Sequence, residues 1–204
     1  KSVHESNMNS LRYWEFNVLT TINLLKIMKE YDCKNLVFSS SATIYNSDGD
    51  QLITEKRALE PKNPYANTKL TIEKILDDLY QSNDTTWKIC CLRYFNPIGA
   101  HPSGLIGEDP KGRPNNLFPQ ITKVAIGAQE NIRIFGNDWP TPDGTGMRDY
   151  IHVMDLAEGH LLALEYLFRK EPQILKLNLG TGKGTTVIEL IKRFENIKVK
   201  NLRL

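Results

Sequence analysis

Cysteine is scarce in this chain of 204 residues: Cys33, Cys90 and Cys91 are the three, two of them adjacent and none in a Cys-x-x-Cys spacing. That usage argues against a disulfide framework or a zinc site and suits a reducing, cytoplasmic setting. The histidines His4, His101, His152 and His160 show no metal-ligand spacing, so no metal is expected. An excess of one charge is also lacking. The 26 basic and 24 acidic residues leave a net charge of +2, with no basic block, so neither nucleic acid nor a membrane surface is an expected partner. No apolar run approaches the ~18 residues of a membrane span. The first residues, Lys1-Ser2-Val3-His4-Glu5, have no signal-peptide core. Position 1 is not Met, and the chain is expected to begin inside a longer sequence.

With 40% apolar residues the chain has enough to bury a core of one domain or somewhat more. Residues 11–30 carry Trp14, Val18, Ile22, Leu25 and Met28 at helical spacing. A strand, Leu36–Ser39, follows. Pro64 then suits the entry to a second helix, 65–80, whose buried face is Ile72, Ile75, Leu76 and Leu79. Ile89–Leu92 reads as a strand buried on both faces. The alternation predicts an α/β chain with a doubly wound, Rossmann-like parallel sheet. From Pro97 to Gly146, prolines and glycines dominate, with one helix near 117–128 and few strand signals. A strand at 150–153, a helix opened by Asp155 with Leu156, His160, Leu161, Leu164 and Leu167 inward, a strand at 175–179 and a helix capped at Thr186-x-x-Glu189 complete the pattern. Three segments are expected: 1–97, a half of a dinucleotide-binding domain; 98–147, a smaller α/β substrate-binding lid region; and 148–204, elements that complete the sheet and the substrate region.

The chemistry concentrates at Ser39-Ser40-Ser41-Ala42-Thr43 and at Pro64-Tyr65-Ala66-Asn67-Thr68-Lys69. Hydroxyls at the C-terminal end of a buried parallel strand lie where open α/β sheets bind ligands, and Tyr65 and Lys69, four apart, share a helix face. A free phenol with pKa ≈ 10 is a poor base at neutral pH unless its anion gains about 4 kcal/mol. One ammonium ~4 Å away at an effective dielectric of ~20 supplies about that much. Ser41 is placed to hold a substrate hydroxyl. The same spacing recurs at Tyr166 and Lys170, late in an amphipathic helix, where packing and a solvated helix end account for it. Gly180-Thr181-Gly182-Lys183-Gly184 has the wrong glycine steps for a dinucleotide loop and no Ser or Thr after Lys183 for a Walker loop.

Several motifs converge on one family: Ser39-Ser40-Ser41-Ala42-Thr43-Ile44-Tyr45, Asn63-Pro64-Tyr65-x-x-x-Lys69, Leu92-Arg93-Tyr94-Phe95-Asn96-Pro97, Gly107-Glu108-Asp109-Pro110, Pro114-Asn115-Asn116-Leu117, Phe135-Gly136-Asn137-Asp138 and Arg148-Asp149-Tyr150-Ile151-His152-Val153. Together they resemble the UDP-glucose 4-epimerases of the extended short-chain dehydrogenase/reductase family. The resemblance implies tightly held NAD, UDP-glucose and UDP-galactose as substrates, and reversible oxidation at C4 through a 4-keto sugar. It implies Tyr65 as the base, Lys69 and Ser41 as its partners, and Lys1, Asn17, Ser41, Tyr65, Lys69 and Phe95 as cofactor contacts. Substrate contacts would be Ser41, Tyr65, Asn96, Asn116, Leu117, Arg133, Phe135 and Arg148. A guanidinium such as that of Arg148 suits a diphosphate. A homodimer of the full-length protein, through helices 11–30 and 65–80, is likewise implied.

The pattern departs from the family at Thr20, Asn46 and Ala66, each where glycine is usual. No Gly-x-Gly-x-x-Gly precedes Lys1, so the first half of the dinucleotide domain is expected to be missing and the 204 residues alone to be inactive. Two alternatives stand beside the epimerase: a silent fragment or binding paralogue, and a related nucleotide-sugar dehydratase. Dehydration needs an acid beside the catalytic hydroxyl, whereas Ser41 is followed by Ala42 and Thr43.

Overall fold

The computed structural model describes residues 3–197 apart from 47–48, 50–51, 83–85 and 111–115. Two compact units divide the chain: residues 1–95 with 156–179, and residues 96–155 with 180–204. The segment 156–179 thus joins the first unit, and 180–204 the second.

The first unit opens with short helices α1 (Val3–Met8) and α2 (Ser10–Tyr13), a π-helical stretch Trp14–Leu19, and α3 (Thr20–Glu30). The helix expected over 11–30 is present, but the π stretch changes its register. A wider turn rotates the following residues about the axis. Tyr13 is therefore buried, while Trp14, expected inward, is exposed.

Strand β1 (Asn35–Ser39), helix α4 (Pro64–Gln81), strand β2 (Lys88–Tyr94) and strand β5 (Gln173–Leu179) form the unit's framework. The strands make a parallel sheet in the order β1-β2-β5, with Ser39 opposite Leu92 and Leu92 opposite Leu177. Central β2 is apolar throughout its middle because both faces are covered. Successive side chains point to opposite faces. Ile89 and Cys91 accordingly join Leu25, Met28, Ile72, Leu76 and Trp87 in one cluster. Cys90 and Leu92 pack with Leu167 of α6 (Val153–Arg169) in the other.

Helix α6 begins at Val153, two residues before Asp155, and β4 (Met147–His152) ends where α6 starts. The His152 ring nitrogen Nδ1 accepts the Met154 backbone N–H at 3.2 Å, a side-chain stop for the strand and start for the helix. Leu161, expected inward, is exposed, while Leu167 is buried against the sheet as expected, with Ala163 packed beside it.

The second unit pairs β3 (Asn96–Ile98) parallel to β4, and β4 antiparallel to β6 (Gly184–Thr186). Helices α5 (Leu117–Ala125) and α7 (Val187–Glu195) enclose a core of Ile121, Ile132, Leu190 and Ile191. The Thr186 hydroxyl accepts the Glu189 N–H at 3.2 Å, as the capping pattern predicts. Helix α5 stops at Ala125 rather than 128 because Gly127, at φ 76°, turns the chain back onto the last carbonyls of the helix. Among the described residues no helix is long and apolar enough to cross a membrane.

Leu76 is 0% exposed in the first cluster, whereas Leu105 is 88% exposed. Leu76→Ala is expected to cost about 2–5 kcal/mol in urea unfolding and Leu105→Ala less than about 0.5 kcal/mol. Equal losses would show that the cluster around β2 does not carry the unit's stability.

Candidate active site

Helix α4 is started by two local signals. Asn63 accepts the Ala66 N–H on its side chain at 2.9 Å, and Pro64 occupies the first turn, where its missing N–H is not needed. This start places Tyr65 on the buried side and Lys69 one turn further along the same face. At the C-terminal end of β1 the chain bends at once, with the Ser40 N–H donating to the Phe38 carbonyl at 3.0 Å. Ser41 then caps a short 3-10 turn, Ala42–Ile44, and its hydroxyl accepts from the Thr43 hydroxyl at 2.9 Å.

The phenol of Tyr65 is 8% exposed and hydrogen-bonded to Ser41. Burial pushes its pKa up to about 12, and the neighbouring Tyr94 adds to the rise, while the Ser41 bond works the other way. The Lys69 ammonium lies 5.8 Å from the Tyr65 ring centre and donates to the Ser39 carbonyl at 2.9 Å. In this arrangement removal from water outweighs the favourable contacts.

That cleft, of about 280 Å³, is lined by Glu5, Arg12, Tyr13, Phe16, Asn17, Tyr65, Lys69 and Tyr94. Asn17 sits in the π-helical stretch, and its amide donates to the Thr68 hydroxyl at 2.8 Å, which in turn donates to the Tyr65 carbonyl at 2.7 Å. The Tyr13 ring meets the Tyr65 ring edge-on at 6.3 Å, and its hydroxyl donates to Glu5 at 3.1 Å. Of the residues expected at the site, Asn17, Ser41, Tyr65 and Lys69 are thus assembled together. Glu5, Arg12, Tyr13, Phe16 and Tyr94 are lining residues that the sequence does not signal. The only signal for Tyr13 is its place four residues before Asn17 on a helix, and the π stretch hides it.

The remaining expected residues are placed as follows. Lys1 lies outside the described residues. Phe95 follows β2, with its N–H donating to the Leu179 carbonyl at 3.2 Å, and Asn96, exposed, opens β3. In the second unit, Asn116 precedes α5 and donates to Glu108 at 2.7 Å, while Leu117 packs on the Ile121 core. Arg133 and Phe135 are exposed on either side of Ile134, which packs on that same core. Arg148 is exposed on β4, donating to the Met147 carbonyl at 2.7 Å. Its neighbour Asp149 is engaged elsewhere: its carboxylate accepts the Thr181 and Gly182 N–H groups and the Thr181 hydroxyl, at 2.7–2.9 Å. The glycine turn 180–184 therefore presents amides already satisfied by a carboxylate, which accords with reading it as structural.

Residues 1–180 match the family described as NAD dependent epimerase/dehydratase. The chain belongs to that family. Over its whole length it is 52% identical to UDP-glucose 4-epimerase 4 of Oryza sativa subsp. japonica, covering 55% of that protein. It is 50% identical to the UDP-glucose 4-epimerase of Bacillus subtilis (strain 168), across 99% of this chain and 59% of the relative. The crystal structure of the UDP-glucose-4-epimerase from Stenotrophomonas maltophila, with bound NAD and formylated UDP-arabinopyranose, superposes with a TM-score of 0.94 at 45% identity. That match covers all of this chain and 60% of the other. The enzyme from Bifidobacterium longum, in complex with NAD+ and UDP, gives a TM-score of 0.89 at 46% identity, over 96% and 58% of the two chains. The chain thus spans little more than half the length of the relatives it matches.

The raised Tyr65 pKa fixes a sign for alkaline stability. A folded-state value near 12 against an unfolded value near 10 means that the unfolded chain gives up this proton first as pH rises. Stability from the neutral buried phenol is intact below pH ~10 and falls by up to about 2–3 kcal/mol between pH ~10 and ~12. Tyr65→Phe should flatten that fall in pH-dependent denaturant melts. A parallel fall in both proteins would place the phenol in water.

Proposed function

We propose that this chain carries the catalytic half of an NAD-dependent enzyme interconverting UDP-glucose and UDP-galactose. The observation that carries the proposal is the buried Tyr65 phenol, hydrogen-bonded to Ser41 and faced by Lys69, at the wall of a cleft beyond the C-terminal end of β1. The UDP-glucose 4-epimerases named above, matched at 45–52% identity, support the substrate class.

The residues present fit one end of a dinucleotide. Flat aromatic walls from Tyr13, Phe16 and Tyr94 suit a ring, and the Asn17 amide and Lys69 ammonium suit ribose hydroxyls. When bound, NAD supplies a reversible acceptor for the C4 hydride and a positive charge near the phenol. Tyr65 takes the proton of the sugar 4-hydroxyl and returns it when the carbon is reduced again. Ser41 holds that hydroxyl in line with the phenol oxygen. Lys69, anchored on the Ser39 carbonyl, favours the phenolate during the transfer. Ala42 and Thr43 beside Ser41 offer no carboxyl acid for loss of water, which supports epimerisation over dehydration.

Asn96, Asn116, Leu117, Arg133, Phe135 and Arg148 complete the proposal as substrate contacts, with Arg148 as a diphosphate partner. Exposed Leu19, Leu24 and Ile27 on the first helical segment support a homodimer of the whole protein. Three unpaired cysteines, two of them buried with burial raising their thiol pKa values, support a cytoplasmic location.

The test is turnover of UDP-galactose by the whole protein supplied with NAD. Epimerisation is expected, with kcat falling about 10²- to 10⁴-fold in Tyr65→Phe. Unchanged turnover in that variant would remove Tyr65 from the mechanism.

A further inference from the structure

A second set of polar groups lies behind the site, out of reach of the cleft. Glu73 of α4 is 1% exposed and Arg93 of β2 is 3% exposed. The guanidinium grips the carboxylate with two nitrogens: Nε donates to Oε1 at 3.0 Å and Nη2 to Oε2 at 2.5 Å. The third nitrogen, Nη1, donates to the Tyr45 hydroxyl at 2.9 Å, and that hydroxyl donates to Asn178 of β5 at 2.7 Å. The Ser40 hydroxyl, wholly buried, donates to Glu73 Oε1 at 2.5 Å. Burial works against the Arg93 charge, but its bonds to Glu73 and Tyr45 outweigh that and hold it above its usual pKa.

A buried ion pair is an expensive way to stabilise a fold, since apolar side chains of similar volume often do as well or better. Such a pair can instead fix one arrangement of the chains around it. Here it ties the helix that carries Tyr65 and Lys69 to the turn that carries Ser41. Glu73 is one helical turn beyond Lys69, and Ser40 is the residue before Ser41. The Ser40 N–H already bends the chain onto the Phe38 carbonyl, so its side chain decides how that bend is directed.

We propose that Ser40, anchored by the Glu73–Arg93 pair, is a positioning residue for the reaction: it sets the Ser41 hydroxyl against the Tyr65 phenol. This rests on the epimerase reading above. Loss of the Ser40 hydroxyl leaves both charges paired, because Glu73 Oε1 still accepts Arg93 Nε. Ser40→Ala is therefore expected to fold, while its Ser41 is released.

The experiment is a double-mutant cycle on the whole protein with UDP-galactose and NAD, using Ser40→Ala, Ser41→Ala, the double variant and Tyr65→Phe. Ser40→Ala should lower kcat about 10- to 100-fold with KM within about twofold, as a displaced catalytic group does. Once Ser41 is already Ala, adding Ser40→Ala should lower kcat no further. A crystal structure of Ser40→Ala should show the Ser41 hydroxyl moved from the Tyr65 phenol. If Ser40→Ala turns over like wild type, or its loss adds in full to that of Ser41→Ala, or Ser41 stays in place, the proposal is wrong although the epimerase reading stands. If wild type does not epimerise, or Tyr65→Phe is as active as wild type, the epimerase reading fails and this role falls with it.

Discussion

The first unit is constrained above all by a buried carboxylate and a buried guanidinium that satisfy each other. Neither Glu73 nor Arg93 has appreciable access to water, so each needs the other together with a further hydrogen bond, from Ser40 to the carboxylate and from the guanidinium to Tyr45. Those requirements draw α4, the turn after β1, β2 and β5 to fixed positions. The apolar cluster of Leu25, Met28, Ile72, Leu76, Trp87, Ile89 and Cys91 supplies the unit's cohesion, but oily contacts tolerate small slides. Directional bonds to charges do not. The geometry of the turn bearing Ser41 is thus set by the same pair that locks the helix bearing Tyr65.

The Tyr65 phenol on this tightly held helix is removed from water, and its pKa rises to about 12 as a result. As the proposed base, Tyr65 is then reluctant in the open cleft, even with Ser41 and Lys69 at hand. Under the proposed function this reluctance is useful: the proton moves only when positive charge and a sugar hydroxyl are present together. The substrate contacts proposed for the second unit depend on a different scaffold, the Ile121–Ile132–Leu190–Ile191 core, with its glycine turn held by Asp149.

Much of this was readable from the sequence where local rules decide. Pro64 with Asn63 before it marks the α4 start, the unbroken apolar run at 89–92 marks a central strand, and Ser41, Tyr65 and Lys69 follow as a set. What could not be read depends on tertiary context. Glu73 looks like a solvated helix position until Arg93 is seen opposite it, and Arg93 looks like the polar end of a strand. The π stretch at Trp14–Leu19 moves Tyr13 inward without altering composition or apolar content. Strands β3 and β6 are three residues each, too short for an alternation to show. Spacing reveals Lys69 beside Tyr65 but not the loss of water around the phenol. The residues assigned to the sugar and diphosphate came from family resemblance, since no local pattern marks an exposed Arg133 or Phe135 as a contact.

The most direct measurement is the stability coupling of Glu73 and Arg93 in a double-mutant cycle with Glu73→Leu, Arg93→Met and the double variant, read by denaturant unfolding. Either single change strands a buried charge and should cost about 3–5 kcal/mol, whereas the double variant should cost less than the sum by at least about 2 kcal/mol. Losses that add to within about 0.5 kcal/mol would show two independent groups, and would contradict a Ser41 turn and a Tyr65 helix held together by one pair.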